Sequence, residues 1–119
     1  MNAALLKIGE VAEHVGLSLR TVRYYEEMGL VEPERRSDGG FRLYAEAQVD
    51  RLELIKHMKP LGFSVQEMRE LLDARDGGDA VSAARLEAFA EDAARRCAEL
   101  REQLARAEAF AATLREAIR

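Results

Sequence analysis

A chain of 119 residues has room for one small domain and an appendage. Its 48% hydrophobic and 34% charged composition is that of a globular rather than a disordered chain, and its single cysteine excludes an intrachain disulfide or a multi-cysteine zinc site built by this chain alone. The formal charge of −4 counts against a nucleic-acid binder, while the lack of a secretory leader or a spanning apolar run sets a cytoplasmic location, without membrane attachment, as the expectation.

The net charge hides a local imbalance. From Arg35 to Tyr44 there are three Arg and one Asp, a local charge of +2. Arginine outnumbers lysine fifteen to three. That bias fits recognition of phosphate and guanine by a planar fork, and fits equally a codon bias that also enriches alanine.

In chain order, Leu5 to Ile8 is a short apolar segment with the look of a small strand. Gly9 to Val15 reads as a helix with Val11, Ala12 and Val15 on one face, ended by Gly16 as a left-handed cap. Ser18 is a good N-cap for a second helix, SLRTVRYYEEMG, that runs to Gly29. On a helical wheel Leu19 and Val22 fall on one side, with Tyr25 close to Val22. Arg20, Thr21 and Tyr24 fall on the other, and Arg23 lies on the border. One face is thus expected to pack while the other presents guanidinium, hydroxyl and phenol groups able to reach phosphates or base edges. Helix, tight glycine turn and helix form the helix-turn-helix pattern, with the second as recognition helix.

Leu30 to Tyr44 reads as a β-hairpin. Two extended arms, VEPERR and FRLY, flank a turn at Ser37-Asp38-Gly39-Gly40. Pro33 keeps the first arm at an edge. Arg35, Arg36 and Arg42 beside the turn suit a wing that grips phosphates; a merely solvated hairpin is the alternative. Ala45 to Lys59 is a third helix with Val49, Leu52, Leu54, Ile55 and Met58 as its apolar stripe, closed by Pro60 and Gly62. Ser64-Val-Gln-Glu67 is a capping box for a fourth helix, whose core face is Val65, Met68, Leu71 and Leu72. Gly77-Gly78 marks the boundary.

The stretch from Lys7 to Leu72 closely resembles the DNA-binding domain of MerR-type transcriptional regulators. The matching residues are IGEVAEHVGLS (8–18), RTVRYYEEMGL (20–30), P-x-RR (33–36), G-F-R-L-Y (40–44) and LGFSVQEMREL (61–71), in order over about 65 residues. The resemblance implies a winged helix-turn-helix whose helix enters the major groove, a wing on the flanking backbone, and a dimer on promoter DNA that distorts an overlong spacer so that RNA polymerase engages both promoter elements. By carry-over, Arg20, Thr21, Arg23 and Tyr24 contact DNA from the helix, and Arg36, Arg42 and Tyr44 do so at or near the wing; Ser18 and Arg35 complete the expected DNA-binding set. Two positions depart from the pattern. Phe41 stands where the family commonly has Tyr, and Ala45 lacks the capping side chain often found before the third helix.

Residues Leu86, Ala90, Ala93, Cys97, Leu100, Leu104, Ala107, Ala111, Leu114 and Ile118 alternate spacings of four and three without a slip, a heptad seam of more than four heptads. A helix from about Asp79 to Ile118 would be about 60 Å long and needs a partner to bury that seam. A homodimer is the expectation. Large residues facing small ones favour an antiparallel pair, with Leu104 against Ala107, Leu100 against Ala111 and Cys97 against Leu114; a second register serves nearly as well. Phe89 and Phe110 beside the seam fit either docking on the partner's head or ordinary flank packing. Cys97 reads as a buried small hydrophobe, because the family's metal sensors carry further cysteines and a loop after this helix. His14 and His57 stand isolated on helices, with surface or interface roles as the default.

The expected architecture is therefore mainly α: a winged helix-turn-helix head (1–75) with a small β-hairpin wing, a Gly-rich linker (76–80) and an antiparallel coiled-coil dimerisation helix (81–119). The implied protein is a short member without a separate effector domain. It needs no cofactor or metal, is not an enzyme, and has double-stranded promoter DNA, a second copy of itself and RNA polymerase as partners. A coiled-coil interaction adaptor, or an architectural or excision-type DNA-bending protein, stands as the alternative. The seam has its own test: replacing Leu100 and Leu104 together by Glu is expected to yield monomers in sedimentation, and an intact dimer would refute it.

Overall fold

The computed structural model describes residues 5–119. The elements are β1 (Leu6–Lys7), α1 (Ile8–Val15), α2 (Leu19–Glu27), β2 (Arg35–Arg36), β3 (Arg42–Tyr44), α3 (Glu46–Met58), a 3₁₀ turn (Lys59–Leu61), α4 (Val65–Gly77) and α5 (Ala80–Ile118). By internal contacts they form two compact units, one ending at Asp73 and one running from Ala74 to Arg119.

In the first unit, α1 and α2 meet through a turn built on Gly16. Its φ of +73° is costly for any residue with a Cβ, and it lets Leu17 N–H reach back to the Ala12 carbonyl at 2.9 Å. Ser18 then caps α2, its Oγ accepting from Thr21 N–H at 3.0 Å. One apolar face per helix fills the core. Val11, Ala12 and Val15 come from α1, and Val22 and Tyr25 from α2. Val49, Leu52, Ile55 and Met58 come from α3, and Met68 and Leu72 from α4. The third- and fourth-helix stripes are borne out at these positions, while Leu54, Val65 and Leu71 are only half-buried.

Three cations hold the helix-turn-helix from behind. Lys56 Nζ donates to the Val15 carbonyl at 2.7 Å, at the end of α1. Arg51 Nε donates to the Leu30 carbonyl at 2.5 Å, and an Arg69 guanidinium nitrogen donates to the Met28 carbonyl, both just beyond α2. The last carbonyls of a helix lack intrahelical partners and carry its negative dipole end, so a cation there satisfies both.

The hairpin is shorter than its arms suggested. Only Arg35–Arg36 pairs with Arg42–Tyr44, with Arg36 opposite Arg42, extended by two bonds at 2.8 Å, from Glu34 N–H to the Leu43 carbonyl and from Ser37 N–H to the Phe41 carbonyl. Pro33 has no N–H to lengthen the ladder. The sheet gains a strand on its other side, where Leu6 pairs with Tyr44 and Lys7 with Leu43, so the order is β1-β3-β2 and the proline-bearing arm lies at an edge. In the turn only Gly40, at φ +81°, takes the left-handed conformation. Ala45 caps α3 without a side-chain bond; Gln48 supplies half of a capping box, its Oε1 accepting from Ala45 N–H at 2.7 Å. The box before α4 is complete, with Ser64 and Glu67 bonded reciprocally at 2.9 and 3.1 Å.

The helices run closer together in sequence than the expected 76–80 linker allowed: α4 continues to Gly77 and α5 starts at Ala80, leaving 78–79 between them. Asp79 caps α5, accepting from Ser82 N–H at 2.7 Å, a bond that holds its carboxyl below the ordinary value. The turn has no room for a larger residue at Gly77, where a Cβ would lie 2.0 Å from Ser82 Oγ. Helix α5 is 39 residues, about 58 Å at 1.5 Å per residue.

Candidate nucleic-acid interface

Helix α2 packs Val22 (0% exposed) and Tyr25 (3%) and turns Arg20, Arg23 and Tyr24 outward. The Tyr24 ring leans on Tyr25 with centroids 5.7 Å apart. Burial, then the neighbouring Tyr24, pushes the Tyr25 phenol above its ordinary value. Thr21 is half-buried, and its Oγ1 accepts from Ser18 Oγ at 2.8 Å. Ser18 and Thr21 thus shape the start of the helix. Leu19, expected in the packed face, is 37% exposed: at the first position of the helix it lies at the rim of the buried arc and escapes cover.

On the wing, Arg35 and Arg36 are exposed. An Arg36 Nη1 donates to the Gly40 carbonyl at 3.1 Å, which ties the arginine to the hairpin tip. Phe41 projects beside them, 62% exposed, with Lys7 Nζ 5.6 Å from the ring centroid.

Helix and wing are joined by one carboxylate. Glu26 accepts from Arg42 Nε at 2.5 Å through Oε1, and from the Tyr44 hydroxyl through Oε2. Its side chain is 15% exposed against 34% for Arg42, so the pair is shielded from solvent more than a surface ion pair is. The Glu26 hydrogen bond, then its charge, raises the Arg42 pKa and keeps the guanidinium cationic. Burial first, and then the bond to Glu26, pushes the Tyr44 phenol well above its ordinary value.

Tyr44 was expected to contact DNA, and the structure corrects this. It is fully buried, at 0% exposure, with its hydroxyl spent on Glu26. The chain pays for burying a phenol by bonding it, and the group anchors the wing from beneath. Glu26 itself went unnoticed in the sequence. Its signal was available: it lies four residues after Val22 on the packed side of α2, where a carboxylate needs a partner.

The sequence and the fold match known proteins. The family profile described as "MerR HTH family regulatory protein" covers residues 6–75, and that described as "MerR, DNA binding" covers residues 49–117. The chain belongs to the MerR family. Among curated MerR-family relatives, the transcriptional regulator ZntR of Escherichia coli (strain K12) is 45% identical over 71 residues, 60% of this chain and 50% of that protein. The mercuric resistance operon regulatory protein of Bacillus cereus is 42% identical over 74 residues, 62% of this chain and 56% of that protein. The chain spans about half the length of these relatives. Among solved structures, HiNmlR, described as a MerR family regulator lacking the sensor domain and bound to promoter DNA, superposes with a TM-score of 0.75 at 25% identity. It covers 96% of this chain and 93% of that one. MtaN, the N-terminus of the Bacillus subtilis multidrug transporter activator, gives 0.56 at 30% identity, covering 86% and 96%. The mainly helical winged fold with a long C-terminal helix is thus the MerR fold, in a family of transcriptional regulators and not of enzymes.

Among the described residues no group of three His, Cys, Asp or Glu side chains is placed to hold a metal, and no helix is long and apolar enough to cross a membrane. Cys97 is half-buried on α5.

The Tyr44 phenol gives a pH prediction. Its folded pKa lies above the ordinary 10.0, so the folded state holds a proton that the unfolded state releases. Its contribution is present below about pH 10 and lost as pH rises toward the folded pKa. Tyr44→Phe is expected to cost about 1–2 kcal/mol at neutral pH and to flatten the fall of stability above pH ~10 in urea titrations. An unchanged alkaline slope would refute the assignment.

Proposed function

We propose that the chain is a sequence-specific DNA-binding transcriptional regulator that acts as a homodimer on a pseudo-palindromic promoter site. The observation that carries this reading is the wing bonded through Glu26 to a helix whose free face bears Arg20, Arg23 and Tyr24. In this reading α2 lies in the major groove, with Arg20, Arg23 and Tyr24 toward bases and phosphates and the Ser18–Thr21 pair at its N-terminus. Arg35, Arg36 and the free nitrogens of Arg42 grip the flanking backbone, and Tyr44 positions them.

Residues 1–75 serve as the DNA-binding domain and α5 as the dimerisation helix. On that helix Leu100 (43% exposed), Leu104 (58%), Leu114 (48%) and Ile118 (72%) stand at heptad positions where a second copy would cover them. An antiparallel pair sets two heads on two half-sites. Bending or untwisting the spacer between them, at an order of 1–6 kcal/mol, would bring both promoter elements to RNA polymerase. The whole-chain charge of −4 is compatible with this, because only the face on the duplex must be basic.

In vitro selection of bound duplexes tests the reading: enrichment of a two-fold site is expected, and no enrichment at low salt would refute it. On the selected site, Arg35→Ala is expected to weaken binding across sequences and to flatten the log–log salt dependence by about 0.9 per lost phosphate contact. An unchanged slope would remove Arg35 from the backbone contacts.

A further inference from the structure

Among the described residues of the first unit, the large apolar side chains left exposed are Leu19 (37%), Tyr24 (46%), Met28 (36%) and Phe41 (62%). All four lie on α2, its C-cap or the wing; α1, α3 and α4 contribute none. Exposed apolar residues scattered singly need no explanation, but here they are confined to the two elements, α2 with its cap and the wing, that also carry the exposed Arg20, Arg23, Arg35 and Arg36.

Two of the four side chains have a recorded contact: Tyr24 leans on Tyr25, and Phe41 carries the Lys7 ammonium on its ring. Met28 stands at the C-cap, the far end of α2 from its first turn. Leu19 stands at the first position of α2, next to Arg20 and one turn before Arg23. The N-terminal residues of a recognition helix are those that meet base edges. A leucine has no donor or acceptor, so it cannot read the hydrogen-bonding pattern of a base pair or hold a phosphate. The apolar group that a base pair displays in the major groove is the thymine C5-methyl.

We propose that Leu19 is a specificity-determining residue that packs on the C5-methyl group of one thymine in each half-site. The inference rests on the DNA-binding reading above. It explains why an aliphatic side chain is left exposed at the rim of the packed face in the first turn of the helix. It also makes part of the sequence preference independent of salt, since covering a methyl group releases no counterions.

The test uses the full chain and duplexes carrying the selected site, with each thymine replaced in turn by uracil, which removes only the methyl group. One thymine per half-site is expected to show about fourfold weaker binding, the worth of one methyl group, with an unchanged salt slope. Leu19→Ala should weaken binding to the thymine site and abolish the uracil penalty at that position. The absence of any such thymine, or a penalty that survives in Leu19→Ala, would overturn the inference while leaving DNA binding intact. A selection that enriches no DNA would overturn both.

Discussion

The arrangement of the proposed DNA-binding surface depends on the carboxylate of Glu26. A two-stranded hairpin with so few paired residues has little stability of its own, and its position relative to α2 would wander without a tie. Glu26 supplies it from the helix side, taking a charged donor from Arg42 and a phenol from the buried Tyr44. On the other flank β1 pairs with β3 and fixes the strand that carries both donors. Burial makes the tie matter, because each of these groups would be costly to leave unbonded in its place.

The same economy governs the remaining cations. Lys56 and Arg69 reach carbonyls at the ends of α1 and α2, and Arg51 reaches the Leu30 carbonyl in the segment after α2. They are structural charges that fix the angle of the helix pair against α3 and α4. Arg20, Arg23, Arg35 and Arg36 stay exposed. A net acidic chain thereby keeps four exposed arginines on α2 and the wing.

Periodicity and punctuation made most of the fold legible. Gly16 and Ser18 announced the helix-turn-helix, Ser64 and Glu67 the start of α4, and an unbroken heptad spacing the length of α5. These are local signals, and local signals survive in a sequence. The misreadings came from contacts between distant positions. Tyr44 looks like a surface phenol until β1 and α2 close over it. Leu19 looks like a packing residue until the first turn of α2 is seen to leave it at the rim. Glu26 shows its role only when the wing, more than fifteen residues later, is folded against it. Of the candidate site, the exposed arginines were readable from spacing, and the bonds that aim them were not.

Through its bonds to Arg42 and Tyr44, Glu26 is proposed to make wing and recognition helix a single DNA-reading body. Hydroxyl-radical footprinting of Glu26→Ala on the selected site tests it most directly. The account predicts that protection of the flanking backbone under the wing is lost while protection around the recognition helix persists. A footprint identical to that of the unaltered protein would contradict it.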